Sequence, residues 1–379
     1  MRVAHVITRL IIGGAQENTV ATVLGLQEKP DVDVRLYCGP TIGPEGSLES
    51  LVEKVDGLFH RIPNLIRPIR PLSDYLACRQ LKREFESFRP DIVHTHSGKA
   101  GFIGRLAARR AGVQKIIHSI HGPSFGPFQG CLANGLFRSA EQLAGRMTDH
   151  FINVADAMRD QYLAAGIGQA DDYTYIPSGF NLQPFLEAEN SPAKRKSLGL
   201  SPGDFVVGKI ARLFELKGHD DLFDIAPRLA RRIPNIRFLL VGDGVWRGRF
   251  ERLAKQIGCE QNFLFTGLVP PAEIPSLIGV MDALVHLSRR EGLPRALPQA
   301  MAAAKPVVAF NCDGASEVCL DEKTGYLIEP GDLLKLEESL AKLANDAPLR
   351  TALGQALSRA WEIPSRDCGP PSTRSFSRG

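Results

Sequence analysis

No uncharged hydrophobic run in the 379 residues reaches the ~18 that a membrane-spanning helix requires. Nor is there a large charge of one sign. Lysine and arginine total 46 against 42 aspartates and glutamates. An excess of four falls short of the concentrated basic stripe that holds nucleic-acid phosphates, so no nucleic-acid partner is expected. The seven cysteines, Cys38, Cys78, Cys131, Cys259, Cys312, Cys319 and Cys368, are odd in number and scattered, with neither a C-x-x-C pair nor zinc spacing. A chain of this length buries its own core without disulfide staples, so reduced thiols and a cytoplasmic setting are expected. The N-terminal MRVAHVITRLIIGGAQ has a short apolar stretch broken by His5 and Arg9, without a small-residue cleavage site. It reads as a buried first strand rather than a signal peptide. G-x-S-x-G and H-E-x-x-H are missing too, which removes a serine nucleophile elbow and a helical zinc site.

What is present is an average globular composition, 44% hydrophobic and 23% charged, at a length suited to about two domains. Apolar, β-rich runs alternate with helical patterns. In the first half the expected strands are Val3–Thr8, Asp33–Cys38, Asp91–His96, Lys115–His121 and Asp149–Val154, separated by helical segments such as Gln16–Leu26, Tyr75–Phe88 and Gly101–Ala111. In the second half they are Phe205–Leu213, Arg237–Gly242, Phe263–Gly267, Ala283–Ser288, Pro306–Phe310 and Gly325–Ile328. The helices between them are Asp220–Arg232, Gly248–Ile257, Pro271–Ile278 and Leu297–Ala304. Continuously apolar strands imply parallel sheets covered on both faces, and the restarted alternation implies two Rossmann-like, doubly wound α/β domains. The seam is expected within the polar stretch Ser178–Gly203, giving residues 1–178, residues 179–361 and a tail, 362–379. A ligand belongs in the cleft at the carboxyl ends of both sheets.

Three loops carry candidate chemistry. Gly13-Gly14-Ala15-Gln16 follows the first strand and opens a helix, which suits either a tight turn or close backbone approach to an anion. Arg212 ends a strand, and Lys217-Gly218 precedes a helix; two cations there suit a diphosphate, Arg as a fork and Lys as a point charge. The segment from Ser288 through Glu291-Gly292-Leu293 leads into a helix beginning near Arg295. It offers a carboxylate for sugar hydroxyls and free first-turn amides. A further turn, Cys312–Glu317, is expected to add a second helix N-terminus at the same rim.

In this order and spacing, GGAQ (13–16), HTHSGKAGFIGRLAARRAG (94–112), HGPSF (121–125), ARLFELKGH (211–219), EGLPRALPQAMA (291–302) and the closing TGYLIEPGD resemble the retaining glycosyltransferases of the GT-B fold, family 4 in particular. The resemblance implies a nucleotide-diphosphate sugar as donor, with residues 1–178 on the acceptor side and 179–361 on the donor side. It implies that Arg212, Lys217, Gly13 and Gly14 hold the diphosphate. Glu291, Gly292, Leu293 and Gln299 would hold the donor sugar and ribose, and His121 with Glu291 would stand at the reacting sugar. Same-face attack through an oxocarbenium-like state would follow, the departing phosphate helping to remove the acceptor's proton, with no metal and no cofactor. The acceptor would be a glycan, a lipid-linked molecule or a small molecule of the cell envelope, with Ser97 and Lys99 as its candidate contacts.

Two features depart from the pattern. Gln299 stands where the family has a second glutamate gripping the ribose; it keeps one acceptor, gains two donors and loses charge-assisted strength. After TALGQALSRAW the chain turns into EIPSRDCGPPSTRSFSRG, so an irregular, disordered tail is expected in place of the family's bracing helix, from a shifted reading frame or truncation. Among other readings, His94, His96, His118 and His121 as a metal site lack a partner carboxylate. The segment Arg61–Arg83, with six basic residues among apolar ones, suits either a solvated face or peripheral contact with the inner face of an anionic membrane. A nucleotide-sugar epimerase of this fold would need further cleft carboxylates, for which only Glu317 joins Glu291. A binding protein that lost efficient transfer is the other alternative. A nicotinamide dehydrogenase finds no dinucleotide fingerprint at Gly242-Asp243-Gly244.

Overall fold

The computed structural model describes residues 1–361. The expected tail 362–379, with Cys368, lies outside the described residues. Among the described residues, thirteen strands form two sheets, and every pairing between them is parallel. The first holds β1 (Arg2–Ile7), β2 (Asp33–Cys38), β3 (Phe59–Arg61), β4 (Ile92–His96), β5 (Lys115–Ile120), β6 (His150–Asn153) and β7 (Tyr173–Tyr175), in the order β3-β2-β1-β4-β5-β6-β7. The second holds β8 (Phe205–Ile210), β9 (Ile236–Val241), β10 (Phe263–Gly267), β11 (Ala283–His286), β12 (Val307–Phe310) and β13 (Gly325–Ile328), in the order β10-β9-β8-β11-β12-β13. Both orders reverse direction once, between β1 and β4 and between β8 and β11. Ligands of open α/β sheets sit at such a reversal, because the crossing helices leave on opposite faces and open a crevice.

Every expected strand is present within a few residues. β3 and β7 were not expected. Each is a three-residue edge strand with no buried residue, so neither leaves an apolar run in the sequence. The helices Cys131–Gly145, Asp156–Ala164 and Leu333–Asn345, which were not expected, and Ala347–Trp361, which carries TALGQALSRAW, complete the layers.

The cores follow the strand alternation. In the second domain Phe205 and Val207 on β8 pack with Phe238, Leu240, Leu222 and Leu229 on one face. Val206 packs with Leu239, Leu284 and Leu297 on the other. The polar stretch read as a seam is not loose: Phe185 and Leu200 are buried in that second cluster, with Phe180 and Leu182 against it. Arg195 is buried as well, and its guanidinium donates to the carbonyls of Asp204 at 2.6 Å and Val280 at 3.1 Å. A buried guanidinium is tolerated there because its donors are satisfied. The six cysteines among the described residues are free thiols.

Candidate active site

The loops after β1, β5, β8 and β11 converge between the two sheets. Gly218 follows β8 in the left-handed region (φ 64°), and a Cβ there would lie 1.8 Å from the Leu287 carbonyl oxygen. Only glycine lets this loop settle onto the end of β11, and the contact brings Lys217 to Glu291. Their side chains form a hydrogen-bonded ion pair. Burial raises the Glu291 carboxyl, but the Lys217 charge outweighs it, with help from His286 and from hydrogen bonds of Lys217 and Ser288, and brings it down to about 2. Glu291 is therefore a carboxylate, poised to accept from hydroxyls. His286 Nε2 lies 3.6 Å from the same carboxylate oxygen, its imidazole pushed down to about 4 by burial and therefore neutral.

The Glu291 loop is fixed from behind: Asp313 accepts the Glu291 backbone N–H at 2.7 Å, and Gly314 N–H donates to the Gly292 carbonyl at 3.1 Å. The turn Cys312–Glu317, expected to start a helix, is a 3-10 turn, Asp313–Glu317. Its amide at Gly314 is taken by Gly292 rather than offered to a ligand. Glu317 is no spare cleft acid either. Its two carboxylate oxygens accept the backbone N–H groups of Asp156 and Ala157, at 2.9 and 2.8 Å, capping a helix of the first domain. Gln299 is half-buried on the helix Ala296–Ala302, which starts one residue past the expected Arg295.

Opposite stands His121, just past the end of β5. A Cβ at Gly292 would lie 2.2 Å from the His121 carbonyl oxygen, so the two domains touch backbone to backbone where the β5 and β11 loops meet. Leu293 packs into the first domain's cluster of Ile120, Phe125 and Phe151. Gly14 begins the helix Gly14–Gln27, and a Cβ there would come 3.1 Å from Arg295 Cδ. Arg295 itself bridges the domains with an ion pair to Glu17 at 2.5 Å. Ser97 precedes the helix Gly98–Arg110 at positive φ (66°) without a side-chain capping bond, and Thr8 Oγ1 accepts the Ala100 N–H at 3.2 Å. Lys99 pairs with Asp74 at 2.6 Å and donates to the Pro68 carbonyl, so its ammonium ties the β4 loop to the Arg61–Arg83 segment.

Arg212 reaches the cleft with a partner the sequence did not suggest. Glu45, from the loop after β2, lies 3.7 Å from both Arg212 and Arg9. Burial lowers the Arg212 pKa, and the charge of Arg67 lowers it further. The Arg67 guanidinium sits 5.8 Å over the Phe214 ring, across the cleft. Arg290 donates to the Pro123 carbonyl at 2.6 and 3.1 Å and lies 4.2 Å over Phe128. Four arginines and Lys217 thus gather where a diphosphate was expected. Arg290 adjoins a recognised motif, but Glu45, Arg9 and Arg67 sit in stretches with no motif to mark them. Lys209 on β8 was also missed: it is buried, and burial followed by the Lys217 charge pushes its amine down to about 7.

The four histidines weighed as a metal site divide between the faces of the first sheet. His118 hydrogen-bonds Thr95 Oγ1 at 2.9 Å on one face, where a Cβ at Gly101 would meet its ring. His94 and His96 point to the other, with His5, which is paired in register with His94.

Two family models match the chain in succession. Residues 12–184 match the one described as Glycosyltransferase Family 4, and residues 190–359 match Glycosyl transferases group 1. The chain is 27% identical over 353 residues to the UDP-Gal:alpha-D-GlcNAc-diphosphoundecaprenol alpha-1,3-galactosyltransferase of Escherichia coli, covering 92% of this chain and 89% of that one. It is 29% identical over 283 residues to a GDP-mannose-dependent alpha-(1-6)-phosphatidylinositol monomannoside mannosyltransferase of Mycolicibacterium smegmatis, covering 72% of each. The crystal structure of Anabaena Alr3699/HepE in complex with UDP-glucose superposes with a TM-score of 0.78 at 23% identity, over 95% of this chain and 94% of that one.

Proposed function

The chain belongs to the family 4-like glycosyltransferases of the GT-B fold, and from that premise we propose that it moves a hexose from a nucleoside-diphosphate sugar to an envelope glycan or lipid-linked acceptor, with retention of anomeric configuration. The observation that carries this reading is the ion pair of Lys217 with Glu291, set against His121 of the other domain through the Gly292 contact.

Cleavage of the sugar–phosphate bond puts negative charge on the departing diphosphate and positive charge on the sugar ring. Lys217 and Arg212, with Arg290 nearby, stabilise the first in a site partly shielded from water, where each charge acts at lower dielectric. Glu291 holds the sugar hydroxyls and exchanges its pairing with Lys217 for one with donor. Glu45 occupies the arginines until the diphosphate displaces it. A phosphate oxygen, on the same face as the incoming hydroxyl, takes the acceptor's proton, so neither a metal nor a cofactor has a step to perform. Gln299 keeps one ribose contact.

Residues 1–178 form the acceptor side and 179–361 the donor side. Exposed Ile69, Leu72 and Tyr75 next to Arg70 support peripheral membrane contact by the acceptor side. The two curated relatives named above act on diphosphoundecaprenol- and phosphatidylinositol-linked sugars, which points the same way.

The test is a thermal-shift screen of the purified chain against UDP, GDP, ADP and their sugar conjugates, with and without Mg²⁺. It is followed by NMR of the anomeric proton of the product made from the stabilising donor. Stabilisation by one diphosphate class without Mg²⁺ and an anomer matching the donor's are expected. An inverted product overturns retention, and no shift from folded protein overturns the transfer reading.

A further inference from the structure

Five side chains of one sheet face fall in line because parallel strands keep a common parity. His5 on β1 pairs in register with His94 on β4, His96 lies two residues further up, and Ser119 on β5 pairs with His96. His121 follows two residues after Ser119, at the cleft. Three of these imidazoles are joined: His5 Nδ1 to His96 Nε2 at 2.9 Å, and His96 Nδ1 to His121 Nε2 at 3.0 Å. The rings lie nearly parallel, with interplanar angles of 11° and 26°. His5 and His96 are buried. The string ends on two nitrogens without a hydrogen-bond partner among the described residues, His5 Nε2 inside and His121 Nδ1 at the cleft end. His94 stands beside the string and bonds Ser119 Oγ at 2.7 Å instead.

Burial keeps these rings neutral, His5 and His121 at about 4 and His96 well below its ordinary value. A neutral imidazole has one donor and one acceptor. Once one ring in a hydrogen-bonded string chooses its tautomer, the others must follow, and only two arrangements exist. One leaves an orphan N–H at His5 Nε2, deep in the sheet. The other leaves a bare lone pair there and puts an N–H on His121 Nδ1. Both end nitrogens are buried and unpartnered in the free chain, so the choice falls when a sugar hydroxyl pairs with His121 Nδ1. The remaining orphan is then at His5 Nε2, where a bare lone pair is the lesser defect than an N–H, and the second arrangement is selected.

We infer that His96 and His5 are positioning residues for His121, fixing its ring and its Nδ1–H tautomer so that it presents a hydrogen-bond donor to the bound donor sugar. This rests on the reading that His121 faces that sugar. The same rings could suit a divalent cation instead, since one nitrogen each from His5, His94 and His96 lie within 4.8 Å of one another. Two of those rings already use their nitrogens on each other, and no carboxylate belongs to the cluster.

The experiment uses the full chain, and its first readout is taken on the wild-type protein. In ¹⁵N-histidine NMR of the wild-type protein with the stabilising nucleotide sugar bound, His121, assigned by its loss in His121→Asn, should show a protonated Nδ1 and a bare Nε2; the opposite tautomer overturns the inference. Kinetics with UDP-glucose or GDP-mannose, whichever the screen selects, add a second readout. His96→Phe keeps the ring volume and removes both bonds, and kcat should fall ~10- to 100-fold with the donor KM little changed, the scale of a misplaced group. His96→Asn, which keeps a polar atom near Nδ1, should recover most of that loss. His94→Phe should cost much less than His96→Phe. Equal losses at His94 and His96 without recovery by asparagine would make the role structural and overturn the inference. So would stoichiometric zinc in the purified chain. If His121→Asn keeps full kcat, the reading of His121 fails, whereas the NMR tautomer reports on the string separately.

Discussion

Glu291 and Lys217 neutralise each other in a half-buried site, and the first consequence is specific to that pair. Removing the ammonium in Lys217→Ala takes from the diphosphate a charge-assisted hydrogen bond of about 1.5–3 kcal/mol. Donor affinity measured by calorimetry should fall ~10- to 100-fold. The same change removes the charge that holds the Glu291 carboxyl near 2, so its pKa rises and the acidic limb of the activity profile moves to higher pH. An unchanged affinity and an unmoved limb would take Lys217 out of the donor site. At Gln299 the expectation has the opposite sign. Gln299→Glu restores a charged acceptor on the helix Ala296–Ala302 and should keep or tighten nucleotide binding in the same titration. Weaker binding would mean that the pocket is built around the amide. Lys217, Glu291, Arg212 and Gln299 were singled out as candidates because each sits in a short motif whose turn chemistry is local. Glu45 and Arg9 were not, since their only link to the cleft is through space.

Between elements, the decisive contact is the β11 loop against the end of β5. At Gly292 a methyl group would meet the His121 carbonyl, which is backbone and cannot swing away. Gly292→Ala should therefore leave each domain folded, with melting within a few degrees of wild type, while kcat falls by about two orders of magnitude as the facing loops separate. Full activity in this variant would show that the loops do not need this approach for transfer. The same scale explains which elements could be read from the chain. Core strands such as β8 and β12 announce themselves as apolar runs because both faces are covered. β3 and β7 have one neighbour each and no buried residue, so no periodicity betrays them. The turn Asp313–Glu317 looked like a helix start because Asp and Glu favour one. Its acids instead serve another loop and another domain.

The whole molecule carries an unusual load of neutral imidazole. Seven of the nine histidines, His5, His94, His96, His118, His121, His219 and His286, have pKa values lowered chiefly by burial. Their folded values lie below the unfolded 6.5, so as pH falls the unfolded chain takes up protons that the folded chain refuses. Stability is complete above ~6.5 and declines as pH drops toward 4, each such histidine adding up to ~1.4 kcal/mol per pH unit. Glu291, depressed from 4.5 to about 2, adds a loss of the same sign at lower pH. Melting temperature should therefore fall steeply between pH 7 and 5. A flat profile would mean that protons reach these rings in the folded state.

The sequence by itself determined the two β–α–β units, the glycine turns, the loops that converge on the cleft and the family. Each of these depends on residues a few positions apart, through apolar periodicity, turn chemistry and motif spacing. Tertiary structure alone decided that His5 would touch His96, 91 residues away, and Arg295 would reach Glu17, 278 residues away. It also decided that Glu317 would cap a helix of the other domain. Those pairings are set by strand register and by how two domains pack. Neither leaves a mark on neighbouring residues, because the partners share no local conformation, only a place in space.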